Sequence, residues 1–313
     1  MSWRTRGLAA LTLLLGTQLA WAADTMTWLL RDFPPSSMPV DGRPTQGMAD
    51  EFVKAIVKRW PEVEHRYLVA NNKRILAMLE SGEPACFTTA LHVPERERSA
   101  YIADMLLVPP QMLVTRRELL GRMPLNARGE VRLAELLSDG ALRGALLQAR
   151  SYGSYLDRLI RERPRDSGAL LSAATVRPLQ QVAHRRADYA IDYDYTLAWE
   201  QQANGKSVEE AELVTMPIEG NEQALVAGIA CPRTEWGRRM IVQIDRHLAA
   251  LAQDAQARTG VERWMTPQAR QRYGRMIEDF YKHRAQPAPD SAFAPPNGST
   301  QALPSQSRAS NGR

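Results

Sequence analysis

The chain is poor in the residues that build reactive centres. Its 313 residues hold two cysteines and five histidines. His65, His92, His184, His247 and His283 show no metal-ligand spacing, and Cys86 with His92 alone is too little for a zinc site. There is no G-x-S-x-G, no H-E-x-x-H and no G-x-G-x-x-G. Gly205-Lys206-Ser207 ends like a phosphate-binding loop, but Glu200 stands where that loop needs its first glycine. Asp192 and Asp194 have the spacing of a calcium loop without its glycine and terminal glutamate. These absences leave no cofactor or metal to expect and no motif-marked enzyme. Long apolar runs are also missing. Leu8 to Ala20 is about 13 residues, and spanning hydrocarbon takes roughly 20.

That short run has a different use. Arg4 and Arg6 precede it, and Ala20-Trp21-Ala22 follows as a small-x-small cleavage site. The pattern is that of a secretory signal peptide over residues 1–22. No lipobox cysteine lies near it, so the mature chain is expected in the periplasm, without membrane insertion. Loss of Arg4 and Arg6 lowers the net charge from +5 to +3. The basic residues are spread along the chain, whereas nucleic-acid binding needs a clustered basic face. An exported chain with two cysteines is expected to join them. Residues 285–313 are rich in Pro, Ser, Gly, Asn and Gln and are expected to be a disordered tail.

Between signal and tail the periodicities alternate. Thr25 to Leu30 reads as a strand ended by Pro34-Pro35. Phe52, Val53, Ile56, Val57 and Trp60 share one helical face, stopped by Pro61. Val63 to Val69 is a strand, Asn71 or Asn72 caps a helix carrying Ile75, Leu76 and Leu79, and Ala85 to Thr88 is a third strand. This β-α-β-α-β order predicts a parallel sheet with helical crossovers. A second α/β unit follows. Its strands are Leu142 to Leu147, Leu170 to Ala174, Asp188 to Asp192 and Leu213 to Pro217. Its helices cover Val131 to Leu137, Tyr152 to Arg163, Pro178 to Arg186 and Thr196 to Gln202. Ala224 to Ala230 is one more strand. One long helix is expected from Thr234 to about Ala257, and another behind Thr266-Pro267.

The stretch from Cys86 to Arg117 narrows the reading. A short apolar strand leads to a polar turn and then to Pro94-Glu95-Arg96. An aromatic and apolar segment, Pro109-Pro110, and an apolar run ending in arginines follow. This order resembles the first-lobe-to-hinge passage of family 3 extracellular solute-binding proteins. Cys86, Tyr152-Gly153, Tyr193, Cys231-Pro232 and Trp236-Gly237 together look like a proteobacterial branch of that family without an assigned ligand. The resemblance implies an α/β, two-lobed type II periplasmic-binding fold. Lobe 1 would comprise residues 23–110 and 218–284, and lobe 2 residues 111–217, with hinge segments near 107–115 and 213–217. It also implies that Cys86 and Cys231 lie on neighbouring strands of lobe 1.

The same resemblance nominates a ligand site. Arg96 matches the arginine that grips a ligand carboxylate in amino-acid binders, and a planar guanidinium suits two carboxylate oxygens. Leu91 stands where family members often carry a threonine. Phe33 occupies the family's aromatic platform. With Arg31 and Asp32, it sits at the carboxyl end of the first strand, the edge where open α/β sheets bind ligands. Ser151, Tyr152, Gly153 and Ser154 open a helix whose free N–H groups would attract an anion. The family's ammonium-binding aspartate aligns with Tyr193, flanked by Asp192 and Asp194.

The function implied is capture of a small polar, anionic ligand, of amino-acid or organic-acid type, for an ABC-type transporter at the inner membrane. The protein would act as a monomer and not as an enzyme. Two rivals stand beside it. One is a periplasmic sensory protein that reports to a signalling partner. The other is a hydrolyase like the cyclohexadienyl dehydratases, with Asp192, Asp194 or Glu95 as the acid/base group.

Overall fold

A computed structural model describes residues 24–164, 169–172, 177–204 and 211–294. The expected signal peptide, the last 19 residues of the tail and the end of the expected Leu170 to Ala174 strand lie outside these residues.

The chain starts as the periodicity predicts. Strands β1 (Thr25–Leu30), β2 (Glu64–Val69) and β3 (Ala85–Leu91) alternate with helices α1 (Met48–Arg59) and α2 (Asn72–Glu80). Asn71 caps α2 by accepting the Arg74 N–H at 2.9 Å. One turn of helix, α3 (Pro94–Glu97), leads into β4 (Ala100–Val108). The chain then crosses at residues 109–111 to a second sheet.

There, β5 (Met112–Arg116) precedes α4 (Leu133–Asp139), β6 (Gly144–Leu147) and α5 (Ser154–Glu162). After these come β7 (Ala169–Ser172), α6 (Pro178–Ala183), β8 (Tyr189–Asp192), α7 (Asp194–Asn204) and β9 (Leu213–Met216). The chain returns at residues 217–224 to β10 (Leu225–Pro232) and ends with α8 (Glu235–Leu251), α9 (Ala255–Glu262) and α10 (Pro267–Arg284).

The first sheet has the order β2-β1-β3-β10-β4 and the second β7-β6-β8-β5-β9. In each, three parallel strands are joined to the rest by an antiparallel neighbour. Both sheets carry helices, so the fold is α/β and two-lobed. Each lobe has its own core. Met26, Trp28, Leu30, Phe52, Ile56 and Ile244 are wholly buried or nearly so in the first. Leu113, Val131, Leu146, Leu156 and Ile191 fill the second. Burying one such side chain contributes about 1.5–3 kcal/mol.

β10 returns between β3 and β4, and this brings the cysteines together. Ala230 faces Phe87 in the ladder, and Cys86 and Cys231 form a disulfide with Cα atoms 4.3 Å apart. Both ends lie in the first lobe.

Two expectations are corrected. The single helix from Thr234 to Ala257 is two, because the Asp254 carboxylate caps a fresh start by accepting from the Gln256 and Ala257 N–H groups. The tail is ordered further than its composition implies. Ala288 N–H donates to the buried Asp245 carboxylate at 2.7 Å, and Phe293, 4 % exposed, closes a 3-10 turn on the first-lobe core. One large apolar residue and one buried acceptor tie down a segment that is otherwise polar.

Candidate ligand-binding cleft

The carboxyl ends of the parallel strands in the two sheets meet at the boundary between lobes. Arg31 and Phe33 follow β1, and Arg96 lies on α3 just beyond β3. From the other side come Arg150 and Ser151 after β6, and Tyr193 after β8. These six residues line one cavity of about 40 Å³, room for about one water molecule. The lobes are closed on each other around it. Tyr193 and Tyr195 stack with ring centroids 4.7 Å apart and pack into the first-lobe core. Ser154 Oγ donates to Glu95 Oε2 across the cleft at 3.0 Å.

Asp50 holds the first-lobe wall. It is wholly buried and accepts from Ser37 Oγ and from the N–H groups of Met38, Thr45 and Gly47. A buried carboxylate with this many donors fixes the loop between Phe33 and α1.

Arg150 dominates the second-lobe wall. Its Nη1 and Nη2 donate to Asp192 Oδ2 and Oδ1 at 3.1 and 2.9 Å, and both side chains are almost fully buried. The guanidinium lies 4.6 Å from the Phe33 ring centroid and 4.8 Å from that of Tyr152. Burial, the largest single effect, lowers the Arg150 pKa, but Asp192 together with Tyr152 and Tyr193 outweighs it and leaves the pKa raised.

Arg31 and Arg96 are held differently. Arg31 Nη1 donates to Asn72 Oδ1 at 2.9 Å, and its guanidinium covers Phe33 at 4.1 Å. Its Nε is shielded from solvent and has no acceptor. Burial, then the charges of Arg150 and Arg96, pull the Arg31 pKa down to about 9. Burial also lowers that of Arg96, with Asp157 opposing. Neither arginine makes an ion pair among the described residues. The acids nearest Arg96 in sequence are engaged elsewhere, Glu95 by Ser154 and Glu97 by His92 at 2.7 Å.

The remaining expected residues divide. Arg96, Phe33, Ser151 and Tyr193 line the small cavity. Tyr152 does not; it is buried beneath Arg150, with its hydroxyl accepting the Leu147 N–H at 2.8 Å. Gly153 has φ of 90°, and a Cβ there would stand 3.2 Å from Leu225 Cδ2, so glycine is required. The helix start is not an open anion site. Asp157 accepts from Ser151 Oγ and Tyr152 N–H, and Ser151 Oγ accepts from Gly153 N–H. Asp32 and Asp192 instead line an adjoining cavity of about 370 Å³, which shares Arg31 and Phe33 as a wall. Asp32 is exposed there and pairs with Arg177 across the cleft at 3.6 Å.

Arg150 was not among the residues expected from the sequence. Its only signal is a lone cation between the end of a strand and the Ser151 turn, 42 residues from its partner. Arg177 and Thr196, which also line the larger cavity, carried no signal.

No protein-family model matches the sequence, and no curated protein matches it. Solved structures do match. A histidine kinase sensor domain with similarity to periplasmic binding proteins superposes with a TM-score of 0.60 at 16% identity, covering 77% of this chain and 96% of that one. A putative L-cystine ABC transporter protein from Listeria monocytogenes gives 0.61 at 15% identity, covering 79% and 98%. An ancestral amino-acid-binding protein, a precursor of cyclohexadienyl dehydratase, gives 0.58 at 14%, covering 78% and 96%. At these identities the likeness is one of architecture, and the chain has the two-lobed α/β fold of type II periplasmic binding proteins.

Proposed function

We propose that the protein is a periplasmic solute-binding protein that captures a small polar anion between its lobes and closes on it. The observation that carries this reading is the pair Arg31 and Arg96. Two guanidinium groups face one cavity without a carboxylate partner, at the strand ends where open α/β sheets bind ligands. An anion that bridges them supplies the missing acceptor. Residues 109–111 and 217–224 would act as the hinge, since they are the two crossings between sheets. The protein works as a monomer that hands its ligand to an ABC-type transporter, as the likeness to the Listeria protein supports. The sensor-domain likeness supports a second reading, in which the closed form signals to a kinase-type partner.

The three carboxylates considered as acid/base groups are each engaged within the chain. Asp192 is ion-paired to Arg150, Glu95 accepts from Ser154, and Asp194 accepts from Thr266 Oγ1 at 2.5 Å.

A thermal-shift screen of amino acids and organic acids tests the proposal. A ligand at 100 times its dissociation constant stabilises by about 2.7 kcal/mol. Stabilisation by an anion, lost in Arg96→Ala, is expected. A response that Arg96→Ala leaves intact would place the site elsewhere.

A further inference from the structure

A buried acid lining the larger cavity is already paired with a cation of the chain itself. Asp192 is 1 % exposed, and its two oxygens are bonded in parallel to Arg150. Oδ1 also accepts the Tyr193 N–H at 2.9 Å. The pairing with Arg150 cancels the charge of Asp192 within the chain. Asp194, the other flanking acid, is bound by Thr266 Oγ1 and the Tyr195 N–H.

The charges lining the two adjoining cavities do not balance. Arg31, Arg74, Arg96, Arg150 and Arg177 face them, against Asp32, Asp192 and Glu200. Arg150 pairs with Asp192, and Arg177 with Asp32 and Glu200. Arg31, Arg74 and Arg96 make no ion pair among the described residues. Asp157 lies behind Ser151 and softens the charge of Arg96 without lining either cavity. The small cavity, about 40 Å³, has room for one small polar group. The larger one shares Arg31 and Phe33 and can take the rest of a molecule. Thr196, 6 % exposed, has a hydroxyl there with no partner among the described residues.

From this we infer that the ligand is a small dicarboxylate without an ammonium group. One carboxylate sits between Arg96 and Arg31, and the other lies past Phe33 towards Arg74 and the Thr196 hydroxyl. The inference rests on the proposed cleft and deepens it. Arg150 serves as a built-in counter-cation that rejects amino acids by charge repulsion and by holding Asp192.

The test is calorimetric titration of the purified chain with matched probes: succinate and glutarate, their amino counterparts aspartate and glutamate, and the monocarboxylate butyrate. Succinate or glutarate should bind at least about tenfold tighter than its amino counterpart and than butyrate, a gap of about 1.4 kcal/mol. In Arg150→Met the order between succinate and aspartate should narrow or reverse, because Asp192 becomes free for an ammonium group. If that variant does not fold, the wild-type comparison decides alone. Aspartate or glutamate binding as tightly as the plain diacid would overturn the inference while leaving an anion site in the cleft. Butyrate binding as tightly would overturn the second carboxylate. Binding of these probes that Arg96→Ala leaves unchanged would overturn the cleft reading itself.

Discussion

Arg116 is a buried and Arg31 a half-buried arginine at the end of a strand, and the protein treats them in opposite ways. Arg116, deep in the second lobe, donates to the carbonyls of Val182 and Ala187 at 2.7 and 2.8 Å, to Glu118 at 3.0 Å and to Asp188 at 3.1 Å. Arg284 in the first lobe is built alike, with Asp245 as its carboxylate. Arg31 has one amide oxygen and an aromatic face. A guanidinium retained in the fold for structure is surrounded by acceptors, because an unpaired buried charge costs several kcal/mol. One retained for a ligand is left short of them. Arg150 belongs with the structural set despite its place in the cleft, since Asp192 satisfies it.

The disulfide and Arg116 mark the structural extreme. Cys86→Ser with Cys231→Ser should lower unfolding free energy by about 2–5 kcal/mol, the usual cost of losing a native disulfide. Because both ends lie in the first lobe, ligand affinity should hold. Arg116→Met should cost about 3–5 kcal/mol, removing the donor of Asp188 Oδ1 and of two carbonyls. Denaturant melts check both. An Arg116→Met protein as stable as wild type would dissolve the distinction between the two kinds of arginine.

The cleft side is probed by affinity. Arg96→Lys should bind the anion at least about tenfold more weakly, since a point charge cannot reproduce the planar fork. Its melting temperature should stay close to that of wild type. A lysine variant with full affinity would mean that charge alone, and not a two-pronged contact, holds the ligand.

A further expected effect is a pH dependence at His92, next to the α3 turn. Hydrogen bonding to Asp104 first, then Glu97, raises its pKa from 6.5 to about 9 against the opposing effect of burial. The stabilisation is therefore fully present below pH 6.5 and is lost as pH rises through about 9. Thermal melts between pH 6 and 10 should show this decline in wild type and a flatter curve in His92→Gln. Parallel curves would remove His92 as its source.

Much of the fold was legible because local signals and tertiary placement agree. The first β-α-β-α-β segment follows from two clean periodicities, and Asn71 and Thr266 cap helices as their side-chain chemistry predicts. The cysteine pair followed from export together with the strand order. The break at Asp254 was not legible, because the apolar stripe runs on past it while one carboxylate cap decides the boundary. Phe293 was hidden by the polar composition around it. In the cleft, Arg96, Phe33, Ser151 and Tyr193 were nominated by the family resemblance, and they line one cavity. The pairing of Arg150 with Asp192 could not be read from the sequence, because it depends on which two strand ends the second sheet brings together. The self-capped turn at Ser151 escaped for a similar reason: Asp157 lies one turn into the helix and reaches back.

The central claim is that Arg31 and Arg96 are kept for a ligand and not for the fold. Melting of Arg31→Met and of Arg96→Met in ligand-free buffer, beside Arg116→Met, tests it directly. In a protein of this size about 1 kcal/mol shifts the midpoint by roughly 2–4 °C. The account predicts that both cleft variants melt at or above the wild-type temperature, while Arg116→Met falls well below it. A loss in Arg31→Met and Arg96→Met as large as that in Arg116→Met would contradict it and make these arginines part of the structural framework.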